Sequence, residues 1–224
     1  MKIGKNILLL LFVCLFIRIA VGEPCFIPSE SMEPTLLSGD RIWINKLAYG
    51  GKLPTRWADI PLFNVFTWIR PLRIADEQNE WKYHRLPGYT YPKLGDIVVF
   101  NSPSNPQLLL VKRIVQVIEK GDTLIINRNT LPLYRSLIIR EDNKVSELKS
   151  HIIINGKHVS FYTPKQSFYF MEGDNHDNSH DSRIFGFIPE EAIIGKSDFV
   201  LFSLTPQKSF WKSIRWERIL GQLR

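Results

Sequence analysis

The chain has 224 residues, of which 44% are apolar and 23% are charged, and its formal net charge is +7. This composition is typical of a folded protein with a sizeable core, and it excludes an intrinsically disordered chain. The positive charge suits an anionic partner such as a membrane surface or a nucleic acid, and by itself it selects neither.

The N-terminus carries an apolar run from Ile7 to Val21 that is interrupted by Arg18. A helix of this length spans roughly 22 Å, short of a hydrocarbon core of about 30 Å. The run therefore fits a short membrane anchor or the core of a signal peptide, and the lack of a clean small-residue cleavage site favours the anchor. Residues 1–22 are predicted to cross the membrane once, with a cytoplasmic N-terminus because Lys2 and Lys5 precede the run.

The segment FIPSESMEPTLLSGD, residues 26–40, follows this run directly. In an extended chain, Ser29 and Ser31 face the same side. One hydroxyl could then attack a carbonyl group while the other, together with a backbone N–H, stabilised the oxyanion. Serine and proline are equally typical of an ordinary turn, so the residues alone leave both interpretations open.

Strand patterns dominate the rest of the chain. They occur in DRIWINKLAYG (40–50), KLGDIVVFNSP (93–103), QLLLVKRIVQVIE (107–119), DTLIINRN (122–129), LIIRED (137–142), SHIIINGKHVSFYTP (150–164) and SFYFMEGD (167–174). A hairpin turn is predicted at 155–157, and PEEAIIGKSDFVLFSL (189–204) predicts a last pair of strands. Many short strands and few helical periods predict an all-β body of antiparallel sheet.

Two segments depart from the strand pattern. Residues 52–92 are rich in Pro, Trp and Phe and predict a long excursion with one short helix. Its aromatic residues are expected to form a local core, with contact to a membrane interface as the alternative. Residues 207–224 predict a basic amphipathic tail that docks on the body or lies on the membrane. Its apolar face comprises Trp216, Ile219, Leu220 and Leu223, and its basic face comprises Lys212, Arg215 and Arg218.

Lys112 is the one charge in a row with Leu108, Leu110 and Ile114, the residues that share its face of the predicted strand. An ordinary lysine in such a row packs its stem and extends its ammonium group into water. A lysine that is buried instead has a lowered pKa, and its neutral amine is a competent general base. The sequence does not distinguish these two states.

The segment GDNHDNSHDSRIFGF, residues 173–187, is dense in Asp, Asn and Ser. One interpretation is a loop held by side-chain hydrogen bonds, with Arg183 paired to Asp181. The alternative is a metal site with ligands from His176, His180, Asp174, Asp177 and Asp181. The spacing does not match a calcium loop and no cysteine accompanies the histidines, so the metal is the weaker alternative.

Four of these segments, in order along the chain, resemble the type I signal peptidases, membrane-anchored Ser-Lys proteases that remove signal peptides from exported proteins. They are IPSESMEPTLLSGD, KLGDIVVF, LVKRIV and GDNHDNSHDSRIFGFIP. The resemblance implies an all-β body with an N-terminal transmembrane helix. It places the catalytic domain on the extracytoplasmic face of the inner (plasma) membrane, in contact with lipid. Signal peptides of preproteins are the implied substrates, and no cofactor, metal or nucleic acid is implied.

Carried over residue by residue, the resemblance makes Ser31 the nucleophile and Lys112 its general base. Ser29 corresponds to the hydroxyl that completes an oxyanion hole with the Ser31 N–H. Ser179 corresponds to the serine that orients the lysine amine, with Asp181 and Arg183 as supporting residues. The substrate pockets are expected to be shallow, with walls formed by Ile27, Met32 and Leu110.

The same resemblance divides the body of the chain. Residues 23–119 and 166–206 are expected to form the catalytic β domain, and residues 120–165 a small inserted β subdomain. The chain departs from the family pattern at His176, where arginine is common, and at QVIEKGD (116–122), which replaces a Gly-Leu-Pro-Gly-Asp turn.

Two other functions stay open. The first is a non-catalytic, membrane-tethered β domain that binds anionic lipid or a partner through Lys208, Lys212, Arg215 and Arg218. The second is a self-cleaving repressor, which uses a similar dyad in a related β fold. The N-terminal anchor and the lack of a DNA-binding helix pair disfavour the repressor.

Overall fold

The computed structural model describes residues 2–60, 63–79, 81–148, 151–206 and 210–223. It begins with an apolar helix, α1 (Lys2–Phe16), which continues as a π-helical turn over Ile17–Val21. The 18 residues from Gly4 to Val21 are long and apolar enough to cross a membrane, and almost all of their surface is exposed. At about 1.5 Å per residue they span roughly 27 Å, which is closer to the hydrocarbon thickness than the run predicted from sequence.

The body after α1 consists mainly of antiparallel strands, so the all-β expectation is confirmed. The strands are β1 (Gly22–Phe26), β2 (Asp40–Asn45), β3 (Ile97–Asn101), β4 (Leu109–Ile118), β5 (Leu124–Ile125), β6 (Val145–Leu148), β7 (His151–Ile154), β8 (Lys157–His158), β9 (Phe161–Tyr162), β10 (Phe168–Glu172), β11 (Ile188–Pro189) and β12 (Ile193–Ser203). The helices that follow α1 are α2 (Arg70–Gln78), α3 (Leu131–Arg140), α4 (Ser182–Phe185) and α5 (Phe210–Ser213).

Seven strands form the main sheet, in the order β1-β2-β12-β3-β4-β10-β11. Strand β4 lies between β3 and β10, and Lys112 of β4 is opposite Val98 of β3. Both faces of this part of the sheet are covered, because Val98 and Val99 belong to two different clusters of buried apolar side chains. A lysine at the centre of β4 is therefore inside the protein rather than on a solvated face.

The segment 120–165 forms two small sheets, β5-β9 and β6-β7-β8, and the helix α3. The predicted hairpin turn lies between β7 and β8, where Asn155 and Gly156 have positive φ angles of 51° and 80°. The strand predicted over LIIRED is wrong, since residues 137–140 are the end of α3. Pro132 at the first turn suits a helix start, and the buried side chains of α3 share one core with Phe168 and Phe187 of the body.

The strand pair predicted over 189–204 is also wrong. Residues 193–203 form the single long strand β12, preceded by the two-residue β11 and a 3₁₀ turn over Glu190–Ala192. Irregularities in the pairing of β12 with both of its neighbours interrupt the regular register. Such bulges bend a long strand, so the residues predicted to form two strands form one bent strand instead.

The excursion over 52–92 contains 3₁₀ turns at Trp57–Asp59 and Phe63–Trp68, followed by α2. The expected local core is wrong for its aromatic side chains. Trp57 and Phe66 are exposed, and Trp68 is 84% exposed. Within the described residues these side chains are covered only in part, and their contact with a membrane interface stays a prediction.

The tail is not one helix. It contains only the four-residue α5 and a 3₁₀ turn over Trp216–Arg218. The expected basic face is wrong for Arg215 and Arg218, because both guanidinium groups turn inward to Asp40, which is 0% exposed. The closest of these contacts is 2.6 Å, from Arg218 Nη2 to Asp40 Oδ2. Lys208, which the rival lipid-binding hypothesis also invoked, lies outside the described residues.

Candidate active site

Ser31 lies in the connection between β1 and β2, residues 27–39. The base of this connection is closed by a backbone hydrogen bond of 2.9 Å from Ile27 N–H to Asp40 O. Met32, the neighbour of Ser31, is 1% exposed and packs in the core below the sheet strands β2 and β3. Because the adjacent side chain is anchored, Ser31 has a fixed position; it is the first residue of a turn over residues 31–35 and is partly buried.

Lys112 approaches Ser31 from the centre of β4. Its Nζ lies 2.6 Å from Ser31 Oγ, within a hydrogen bond, and the residue is 2% exposed. Burial lowers the pKa of Lys112 to about 8, although the carboxylates of Asp181 and Asp174 oppose this change. An amine of this pKa is neutral in roughly one molecule in ten at pH 7, compared with about one in 2,500 for an ordinary lysine of pKa about 10.4.

Ser29 lies on the same side of the segment as Ser31. The two Oγ atoms are 3.3 Å apart, and Ser29 is exposed. A hydroxyl at this distance can rotate to donate to an oxygen that binds beside Ser31. The two hydroxyls therefore lie close together as predicted, but the segment is not extended, because it bends at residues 29–30 and turns over residues 31–35.

The loop that follows β10 binds the backbone of the serine segment. Asn175 N–H donates to Ser31 O at 3.2 Å, and Asn175 Nδ2 donates to Glu30 O at 3.1 Å. Gly173 makes this approach possible, because a Cβ atom at that position would lie 2.3 Å from Ser31 O. The loop thus fixes the backbone of the nucleophile segment directly at Ser31.

The predicted pair of Asp181 and Arg183 is present and holds this loop in shape. Arg183 donates from Nε at 2.9 Å and from Nη2 at 2.8 Å, and Gly173 N–H donates to the same carboxylate at 3.1 Å. Burial alone would raise the pKa of Asp181, but these hydrogen bonds outweigh it and hold the pKa well below its usual range. Asp181 is therefore a fixed negative charge close to the Lys112 amine.

A second carboxylate, Asp174 in the loop after β10, forms hydrogen bonds with both β4 and the serine segment. Arg113 donates to it from Nε at 2.8 Å and from Nη2 at 2.7 Å, and the Thr35 hydroxyl of the serine segment donates at 2.5 Å. Burial would raise the pKa of Asp174, and the hydrogen bonds from Arg113 and Thr35 lower it. Arg113 and Thr35 were not predicted from the sequence as site residues. The available signal was that Arg113 points away from Lys112 on the strand and needs a partner there.

Comparison with known proteins decides the family. The sequence profile described as "Signal peptidase, peptidase S26" matches residues 1–202. The chain belongs to this family. It is 30% identical to signal peptidase I of Buchnera aphidicola subsp. Schizaphis graminum, over 93% of this chain and 77% of the relative. It is 29% identical to that of Aquifex aeolicus, over 91% and 87%, and 30% identical to that of Pseudomonas aeruginosa, over 89% and 72%.

The resemblance found in the sequence is thus confirmed, and the chain is a serine endopeptidase of the signal peptidase family. Family members act on the signal peptides of preproteins. The apolar helix from Gly4 to Val21 is consistent with the membrane anchoring of its signal peptidase relatives. The matches extend across nearly the whole chain and so include β4 and the loop after β10.

Ser179, which the family resemblance places beside the lysine amine, lies within this signal peptidase site. Its Oγ is buried and makes no hydrogen bond of ordinary geometry among the described residues, but it is near enough to the Asp181 carboxylate to help lower the pKa of that group. A Cβ atom at Gly173 would come 2.2 Å from Ser179 Oγ, so the hydroxyl packs directly under that glycine. Its role in orienting Lys112 stays a prediction.

The side chains predicted to line the substrate pockets differ in exposure. Ile27 and Met32 are 4% and 1% exposed and lie in one core cluster, so they offer little surface to a substrate. Leu110 is half-buried and lies two residues from Lys112 along β4. Leu110 has the most surface of the three, and the pocket assignment stays a prediction for all of them.

His176 occupies the position where arginine is common in signal peptidases. Its Nδ1 is 3.4 Å from a carboxylate oxygen of Glu172, and its ring is exposed. Two of the acids considered for a metal, Asp174 and Asp181, are instead bound by arginines. Within the described residues, the structure brings no group of three or more His, Cys, Asp or Glu side chains into metal-binding geometry.

Proposed function

We propose that this chain removes N-terminal signal peptides from exported preproteins, with Ser31 as the nucleophile and neutral Lys112 as its general base. The observation that carries the proposal is the 2.6 Å contact between Lys112 Nζ and Ser31 Oγ at a lysine that is 2% exposed. A charged ammonium group could not accept the serine proton, and burial is what makes the neutral form accessible near pH 7.

In the first half of the reaction, Ser31 Oγ attacks the carbonyl carbon of the scissile bond and its proton passes to Lys112 Nζ. The carbonyl oxygen becomes an oxyanion, which accepts hydrogen bonds from the Ser31 N–H and the Ser29 hydroxyl. The hydrogen bond of Asn175 to Ser31 O fixes the peptide plane on the other side of this residue. Lys112 then donates its proton to the leaving amine, and an acyl-enzyme remains.

In the second half, Lys112 accepts a proton from a water molecule that attacks the acyl carbon, and it then returns this proton to Ser31 Oγ as the acyl bond breaks and the new C-terminal carboxyl group leaves. Lys112 cycles between ammonium and amine in both halves, so its pKa must stay near the working pH. The negative charge of Asp181 opposes complete loss of the proton, whereas burial opposes its retention. This balance supports one residue acting as base and as acid, a Ser-Lys variant of the triad mechanism.

The substrate is expected to bind as an added strand. The pairing of β10 with β4 ends at Arg113, so the backbone of residues 109–112 has no partner strand on that side in the described sheet. An extended peptide placed there would bring its scissile carbonyl beside Ser31. Small residues at the cleavage position and two before it, which the family prefers, agree with the limited space around Ile27 and Met32.

The proposal also includes the membrane topology. Helix α1 with its π-helical continuation would cross the membrane once, and Lys5 near its start favours a cytoplasmic N-terminus. Ser31 follows the span by about ten residues, which would hold it at the extracytoplasmic membrane surface. The scissile bond of a translocating preprotein emerges at that depth.

The test is cleavage of a preprotein by the full chain and its variants in detergent. Ser31→Ala and Lys112→Ala should be inactive. Lys112→Arg should also be inactive, because a guanidinium group does not lose its proton. Ser146→Ala and Lys157→Ala, which change exposed residues on the three-stranded sheet, should keep wild-type activity. Full activity of Ser31→Ala or Lys112→Ala would refute the assignment of these residues as nucleophile and base, and it would favour the non-catalytic, lipid-binding alternative.

A further inference from the structure

A cavity of about 670 Å³ lies where the chain leaves the anchor, apart from the serine and lysine described above. Its walls include Ile19 and Glu23 at the outer end of the membrane helix and Asn101 to Pro103 after β3. Residues 52–56 of the excursion also line it, and Arg140 at the end of α3 contributes a further wall. The cavity therefore joins the anchor, the excursion and the inserted segment.

Two cations in the wall, Lys52 and Arg140, form no ion pair with a carboxylate among the described residues, and Lys52 Nζ lies over the Tyr83 ring at 5.6 Å from its centroid. Arg140 Nε is buried and has no hydrogen-bond partner among the described residues, while Nη2 donates only to Phe185 O at 3.3 Å. Burial lowers the pKa of Arg140, and it is also the main cause that lowers the pKa of Lys52. An anion in the cavity would supply the hydrogen bonds and the charge that these side chains lack.

The carboxylates in the wall are largely engaged elsewhere. Glu23 pairs with Lys46 at 2.8 Å, and Asp59 accepts hydrogen bonds from the backbone N–H groups of Thr55 and Arg56. Glu191 is exposed. Asp59 and Glu191 favour the charged form of Lys52 at longer range, but neither forms an ion pair with it.

A row of aromatic rings runs outward from this cavity. Trp81 lines the cavity, and its ring centroid is 5.1 Å from that of Trp57. Trp57 is followed by Phe63 at 5.5 Å, and Phe63 by Phe66 at 6.1 Å. All four rings are exposed over roughly half of their surface. Aromatic side chains of this kind are enriched at the headgroup level of membranes.

We propose that this cavity binds the phosphate headgroup of an anionic phospholipid, while the aromatic row lies among the neighbouring lipids. The inference rests on the membrane crossing given under the proposed function. If Gly4–Val21 spans the hydrocarbon, Ile19 and Glu23 lie at its boundary, and the cavity opens at the depth of the lipid phosphates. Lys52 and Arg140 would bind the phosphate oxygens, and the lipid would hold the excursion against the membrane.

The test uses the full chain in dodecyl maltoside, with retained lipid measured by native mass spectrometry. Phosphatidylglycerol, phosphatidylcholine and inorganic phosphate are titrated separately. Wild type should bind one phosphatidylglycerol at least about tenfold more tightly than phosphatidylcholine. Lys52→Gln/Arg140→Gln should lose this preference. The matched control Lys120→Gln/Lys157→Gln removes two exposed charges and should retain it.

Equal retention of phosphatidylglycerol by wild type and by Lys52→Gln/Arg140→Gln would overturn the site. If inorganic phosphate bound as tightly as phosphatidylglycerol, the cavity would be a site for a free anion, and the proposal that it binds a lipid would be refuted. Cleavage of a short soluble peptide in detergent should be the same for Lys52→Gln/Arg140→Gln and wild type. Failure of the peptidase proposal would instead appear as an active Ser31→Ala variant with lipid binding intact, so the two failures are distinguishable.

Discussion

The burial of Lys112 predicts that Lys112→Met abolishes cleavage and at the same time stabilises the fold at neutral pH. In the unfolded chain this lysine has a pKa of about 10.4, whereas in the folded protein burial lowers the pKa to about 8. At 1.36 kcal/mol per pH unit, keeping the proton in the folded state costs about 3 kcal/mol at pH 7. Methionine has a similar volume and carries no charge, so the substitution removes this cost.

The sign of the pH dependence follows from the two pKa values. Between about pH 8 and pH 10.4 the unfolded chain binds more protons than the folded protein, so wild-type stability rises with pH in this window. The cost is fully present below about pH 8. Loss of the hydrogen bond to Ser31 destabilises the variant by about 1 kcal/mol. The free energy of unfolding of Lys112→Met should therefore exceed that of wild type by about 2 kcal/mol at pH 7, and the two should be nearly equal at pH 10.

The assay is urea unfolding of the full chain in a neutral detergent, followed by near-UV circular dichroism at pH 7 and pH 10. Lys157→Met, at an exposed lysine, is the matched control and should change the unfolding free energy by less than about 0.5 kcal/mol at both pH values. A Lys112→Met variant that differs from wild type by the same amount at both pH values would refute the lowered pKa of Lys112.

Three further outcomes are expected. Peptide cleavage by wild type should fall about fiftyfold from pH 8 to pH 6, because the neutral fraction of Lys112 falls from about one half to about one hundredth. Gly173→Ala should slow cleavage at least about tenfold and cost about 1–3 kcal/mol of stability, since its Cβ would lie 2.3 Å from Ser31 O. Arg218→Ala should cost about 2 kcal/mol at pH 7, because it removes two hydrogen bonds to the carboxylate of Asp40.

Each of these outcomes has a contradicting result. A cleavage rate that stays level between pH 6 and pH 8 contradicts the lysine base, and a Gly173→Ala variant with wild-type kinetics contradicts the docking of the loop on Ser31. For Arg218→Ala the pH dependence is decisive. Hydrogen bonds from Arg218 lower the pKa of Asp40 against the effect of burial, so their stabilisation is present above about pH 4 and is lost as the pH falls through the folded pKa. A deficit that persists unchanged at pH 2 would be inconsistent with this pair.

The strands that carry the site could be predicted because their apolar residues alternate or run continuously. Strands β3 and β4 lie within the segments predicted for them, and Lys112 lies between Leu110 and Ile114 on one face, as expected. The pairing of Asp181 with Arg183 was equally accessible, since only two positions separate the partners. Local patterns sufficed wherever the partners were neighbours in sequence or on one strand.

The remaining features depend on contacts that no local pattern contains. Asp174 and Arg113 are 61 positions apart, and Arg218 and Asp40 are 178 positions apart. The tail residues have helical spacing in the sequence, but Arg215 and Arg218 bind the buried carboxylate of Asp40 at the start of the distant strand β2, and the tail is not one helix. Likewise the aromatic side chains near Trp57 look like core residues in sequence, and only the fold shows that they stay exposed.

The central claim is that the fold keeps the Lys112 amine out of water and so lowers its pKa to about 8, which makes the neutral form accessible near physiological pH. The most direct measurement is an NMR titration of the full chain with ¹⁵N-labelled lysine side chains, in which the Lys112→Met spectrum assigns the Lys112 resonance. A midpoint near pH 8 for this one amine, well below the value of about 10.4 for an ordinary lysine, is the predicted result. A Lys112 midpoint at the ordinary lysine value of about 10.4 would contradict the account.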